Sequence, residues 1–171
     1  MEKNCLFNAF NPQMLSDKKK ESLFTAIFIG GVVIIIALIY LIHLSDNLWD
    51  SLINFFSSLT LAPVPATGIS LPAPTNPAEH MNLFNAASQF TMSLGVLEIV
   101  LLMLRIRLNS PVSRIAETIE NIVFLLGTSY LIITYLANMT LTSEWFVFWA
   151  GIILIFGLAL MVRGFVLLTK R

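Results

Sequence analysis

The sequence predicts an all-α integral membrane protein, a four-transmembrane-helix bundle with one amphipathic interfacial helix in a long outer loop. Three observations predict it. Of the 171 residues 57% are hydrophobic and 12% charged, with a mean hydropathy of +0.83, where a soluble domain carries about 25% charged residues. Four apolar runs, at about 23–44, 83–104, 119–137 and 145–168, match the roughly 20 residues a helix needs to cross a bilayer. The basic residues, finally, fall only where one side of a four-span protein would lie.

The first element is a tail, residues 1–22, with Lys3, Lys18, Lys19 and Lys20. Cys5 is the only cysteine, so the chain has no internal disulfide and no multi-cysteine metal site; a palmitoylated thiol is the alternative to an inert one. The apolar run that follows, about 22 residues, exceeds the roughly 7–15 of a secretory signal and lacks a small-residue cleavage site in "LIHLSDNLWD", so it reads as a retained span. Ala26 and Gly30 give it a small-xxx-small pair, a pattern that lets neighbouring helices approach closely.

The outer loop, 45–82, has two parts. In 47–60, "NLWDSLINFFSSL" sets Leu48, Leu52, Phe55, Phe56 and Leu59 on one helical face against Asp50, Ser51, Asn54, Ser57 and Ser58, which predicts an amphipathic helix too short to span. Residues 62–78 hold most of the prolines and predict an extended, polyproline-like connection. His43, Glu79 and His80 raise a metal site, but without an i,i+4 pair or a cysteine the spacing carries little, and no metal or cofactor is expected.

Span two carries one acid, Glu98, about 9 Å inside its inner end, and ends at Arg105 and Arg107. A stripe at spacings of three and four runs through Asn85, Ser88, Gln89, Met92, Gly95, Glu98, Leu102 and Arg105. In "LNSPVSRIAETIENIVF", Ser110 reads as an N-cap and Pro111 as the first helical residue of helix three. Arg114, Glu117, Glu120 and Asn121 lie on its first turns, and Gly127, Thr128 and Tyr135 continue the stripe. An antiparallel hairpin about residues 109 and 110 brings Glu98 level with Asn121, so the two stripes are expected to face each other inside the bundle.

Asn138, Met139 and Thr140 match the N-glycosylation pattern beside two spans, a weak signal. Span four repeats small residues every seven positions at Ala150, Gly157 and Gly164, which predicts a packing seam in the bundle or between copies. It also carries Arg163, expected either to snorkel or to neutralise Glu98 or Glu120. Residues 169–171 close the chain. The loops 45–82 and 138–144 contain no Lys or Arg, so the positive-inside bias puts both termini and residues 105–114 in the cytoplasm of a cell-membrane protein.

A charged acid at mid-span costs about 2.5–3.5 kcal/mol, so Glu98 must be protonated, hydrogen-bonded to Asn121 or Thr128, or paired with Arg105, Arg114 or Arg163. No nucleophile-base pair or phosphate loop accompanies it, so the chain reads as no enzyme. The zero net charge argues against a nucleic-acid partner. The first functional expectation is an accessory or assembly subunit of a membrane complex, partnered in the bilayer by another protein or by itself. The second is an oligomeric channel or proton- or cation-coupled carrier using Glu98. A membrane enzyme built on Glu98, Glu117 and Glu120 comes third, because acids without histidines make a poor redox-metal set.

Overall fold

The computed structural model describes residues 17–44, 47–65, 67–139 and 141–169. The expectations for residues 1–16 of the tail, with Cys5, for Thr140 of the glycosylation pattern and for Lys170 and Arg171 lie outside the described residues; residues 17–22, expected as tail, begin the first helix. The chain runs α1 (Asp17–Ile42), α2 (Leu48–Ser57), β1 (Leu59–Pro63), β2 (Ser70–Pro74), a 3-10 turn (Pro77–His80), α3 (Met81–Arg107), α4 (Val112–Leu131), a π turn (Ile132–Leu136) and α5 (Thr142–Thr169). Among the described residues, four helical stretches are long and apolar enough to cross a membrane: Lys19–Ile42, Pro77–Arg107, Val112–Leu136 and Thr142–Thr169.

Packing runs α1 on α3, α3 on α4 and α4 on α5. The long helices therefore pack in an open row, with α1 and α5 as its edges. The end that carries α2 and the strands is called the loop end here, and the α3–α4 connection marks the turn end.

That connection explains why α3 and α4 pair so closely. Ser110 N–H donates to Arg105 O at 2.9 Å and Asn109 N–H to Ile106 O at 3.2 Å, with Asn109 in the left-handed region at φ 51°. These two bonds make a Schellman motif, with asparagine at the position glycine usually takes. Ser110 is thus the last residue of the α3 stop and not the N-cap of α4, correcting that expectation. Pro111 is the N-cap, extended at φ −55°, ψ 142°, and its carbonyl accepts from Arg114 N–H and Ile115 N–H at 3.0 and 3.2 Å. The Ser110 hydroxyl is buried with no hydrogen-bond partner among the described residues.

The loop end departs further from an all-α reading. Part of the proline-rich connection is an antiparallel ribbon, with Leu59 opposite Pro74, Leu61 opposite Pro72 and Pro63 opposite Ser70. All three prolines fall in one alternate set of pairs, where the N–H would point away from the partner strand, so the ribbon loses no bond to them. Helix α2, shorter than the expected 47–60, packs on the start of α3. Phe55 lies 5.3–5.9 Å, ring centre to ring centre, from His80, Phe84 and Trp145. Trp145 Nε1 donates to Pro72 O at 3.0 Å, fastening the ribbon to α5. The main buried cluster, including Phe84, Leu131, Leu136, Met139, Trp145 and Phe148, sits at this end.

Glycine positions separate the expected seams from the close contacts within the chain. Among the described residues a Cβ added at Gly30, Gly157 or Gly164 would meet nothing within 4 Å, and Ala26 and Ala150 are exposed. The close contacts use other glycines: Gly31 faces Leu97, Gly95 faces Leu126, Gly127 faces Ile155 and Gly151 faces Leu131.

Candidate functional site

The expected polar residues converge at the turn end, and the backbone explains why. Gly95 lets Leu126 approach α3 so closely that an added Cβ would sit 2.6 Å from Leu126 Cδ2. One turn further along α3, Glu98 is therefore within reach of α4, and Asn121 Nδ2 donates to its Oε1 at 3.1 Å. The level predicted from the turn is the level observed. Glu98 is 6% exposed.

The two stripes do not simply face each other. Ser129, in place of Thr128, crosses to α3 and donates to Ser88 O at 3.0 Å, while the Thr128 hydroxyl is buried with no partner among the described residues. Glu120 and Gly127 turn to α5. Arg163 Nη1 donates to Glu120 Oε2 at 2.9 Å, which selects Glu120 over Glu98 as its partner. Successive residues Glu120 and Asn121 thus serve opposite neighbours, as the about 100° step of a helix requires.

Nearer the turn, Arg105 is held by three groups. Its Nη1 donates to Arg114 O at 2.9 Å, its Nη2 lies 3.8 Å from Glu21 Oε2, and its guanidinium sits 5.2 Å over the Phe24 ring. Arg114 pairs with Glu117 at 3.0 Å and with Glu21 at 3.8 Å. Lys20 Nζ donates to Leu108 O at 3.2 Å. Polar contacts thereby join α1 to α3 and α4 at the turn end.

Glu21 and Phe24 are absent from the sequence reading, which ended the tail at residue 22. The available signal was position: Glu21, Phe24 and Phe28 follow steps of three and four, so extending the helix back before Leu23 puts the acid on the face of two aromatics. Phe24 is 1% exposed.

A cavity of about 180 Å³ opens among these groups, lined by Glu98, Arg105, Glu117, Thr118 and Asn121 with Phe24 and Phe28. At roughly 30 Å³ per molecule it has room for a few waters or a small cation. The carboxylates can accept protons or coordinate a cation, but no activated nucleophile joins them. His43 is bonded to Gln89 at 3.1 Å, His80 to Ser58 at 2.9 Å and Glu79 to Asn76 at 3.0 Å. Among the described residues no three His, Cys, Asp or Glu side chains could share a metal ion.

Comparison with known families, with curated proteins and with solved structures found no match.

Proposed function

We propose that the chain is a multi-pass membrane protein, turn end in the cytoplasm, that acts as a noncatalytic accessory or assembly subunit and associates through its edge helices. One observation carries the reading: both edges of the row present small residues outward. On α1 these are Ala26 and Gly30, and on α5 Ala150, Gly157 and Gly164, all exposed, the three glycines with nothing within 4 Å of an added Cβ. In a bilayer, where apolar burial between helices gains little, close backbone approach at small residues drives association. Among the described residues nothing occupies the space beside those glycines, and another helix is what they fit.

Apolar side chains beside them support insertion. Ile153, Leu154, Val33 and Ile34 are 60–71% exposed, on faces far larger than a soluble protein tolerates. The charge distribution of the sequence supplies the orientation.

Purification in mild detergent, with native mass and identification of co-purifying proteins, tests the reading. The expected result is a stoichiometric partner or a defined oligomer that Gly30→Leu or the double change Gly157→Leu with Gly164→Leu dissolves. A monomer without partner, or an assembly indifferent to all three changes, overturns it.

A second reading has its own observation, the cavity that holds Glu98 and Glu117. Since an open row encloses no pathway, a channel or proton- or cation-coupled carrier would need several copies. In liposomes such an oligomer would conduct, and Glu98→Gln would abolish the pH-dependent flux by removing the titrating group. Unchanged flux in that variant removes Glu98 from any transport mechanism.

A further inference from the structure

At the opposite end lies a larger cavity, about 720 Å³, between α2, the ribbon and the first turns of α5. We propose that it binds the hydrocarbon chain of a neutral membrane lipid. The proposal rests on the membrane reading above and adds to it a ligand and a site.

Its volume falls within the roughly 300–1,000 Å³ of small-molecule sites. The walls are already set: Trp145 is tied to Pro72 O and packs edge-on against Trp149 at 5.7 Å. Among the described residues no charged, hydroxyl or amide side chain lines the cavity. The Trp145 indole N–H already has its acceptor. Apart from the Trp149 indole N–H, the side chains lining the cavity offer a polar ligand no partner, a cost that a hydrocarbon avoids.

The opening is lateral. Phe56, Trp149 and Ile153 line the cavity and are also 63%, 49% and 71% exposed, so it continues onto the outward apolar face of α5. Trp145 to Ile153 spans about 12 Å of helix, room for a length of alkyl chain lying along it. Charge decides the headgroup. Loops 45–82 and 138–144 contain no Lys or Arg but carry Asp46, Asp50, Glu79 and Glu144, so an anionic carboxylate or phosphate held at this end meets like charge. An uncharged headgroup is the one that fits.

The tryptophans supply the test. A Trp49→Phe chain, reporting only Trp145 and Trp149, is placed in phosphatidylcholine nanodiscs and titrated with a monoacylglycerol brominated along its chain. Expected are saturable quenching, reversal by the unbrominated monoacylglycerol, and quenching by brominated fatty acid only in proportion to its amount. Val64→Phe, a change at a cavity-lining residue that lies on neither α1 nor α5, should lose the saturable component. Quenching merely proportional to monoacylglycerol, or saturable and tighter for the fatty acid, overturns the proposal. So does a saturable signal that vanishes when the oligomer is dissolved by the α5 glycine changes, because a second copy then fills the cavity. Discs made wholly of brominated phosphatidylcholine separate the two readings: absence of any quenching there rejects membrane insertion itself.

Discussion

Arg163 of α5 and Glu120 of α4 meet at 2.9 Å, and this ion pair is a polar link between the last helix and the α3–α4 hairpin. Glu120 is the more enclosed partner, its side chain 14% exposed against 41% for Arg163. Removing the arginine leaves the carboxylate without its counter-charge. Detergent melting of Arg163→Gln, Glu120→Gln and the double variant should give a coupling energy of about 0.5–3 kcal/mol, with Arg163→Gln the costlier single change. Strict additivity would mean the two residues act independently.

Glu98 and Asn121 should respond asymmetrically. Glu98→Gln keeps an acceptor for the Asn121 amide and should melt close to the parent chain. Asn121→Leu removes the donor, leaves a buried carboxylate without its partner, and should cost about 1–3 kcal/mol or more. The opposite ranking would mean that the acid, and not its donor, sustains the hairpin.

The glycines divide into two groups that a melting series can tell apart. Gly95→Ala forces a methyl to 2.6 Å from Leu126 Cδ2, and the overpacking should lower stability by about 1–3 kcal/mol. Gly157→Ala meets open space and should be neutral or stabilise by up to about 1 kcal/mol, since glycine is a poor helix residue. A costly Gly157→Ala in the isolated chain would place a neighbour against it.

Topology is tested by impermeant thiol labelling in intact cells, with Cys5 replaced. Ser70→Cys, exposed on β2, should label from outside, and Ser113→Cys, exposed on the first turn of α4, only after lysis. Outside labelling at Ser113 would invert the orientation.

The parts of this arrangement legible in the sequence are those governed by helix geometry along one chain. Glu98 comes level with Asn121 because the rise per residue is constant and Asn109-Ser110-Pro111 marks the turn. Arg163 could be narrowed to two acids by depth alone, but choosing Glu120 required the rotation of α4, which no single helix discloses. Which glycines make the contacts within the chain was hidden for the same reason. Gly30 and Gly31 are adjacent yet about 100° apart, and periodicity cannot say which of the two meets α3. The ribbon was hidden because its prolines resemble a polyproline connection unless the pairing partner is known. The loop-end cavity is assembled from α2, two strands and α5, distant in sequence, so no local motif announces it.

The Leu108–Pro111 turn also decides where the chain can change length. One residue inserted there would displace Asn109 and Ser110 from the backbone bonds that set where α4 begins against α3. Asn121 would swing away from Glu98, Glu120 away from Arg163, and Leu126 off Gly95, all in a single step. At the ribbon tip Val64 N–H donates to Ile69 O at 2.8 Å, so the strands are closed before the tip begins. Insertion scanning should therefore find a chain that tolerates tags and added residues at the tip, and that loses its fold when a single alanine is placed after Asn109.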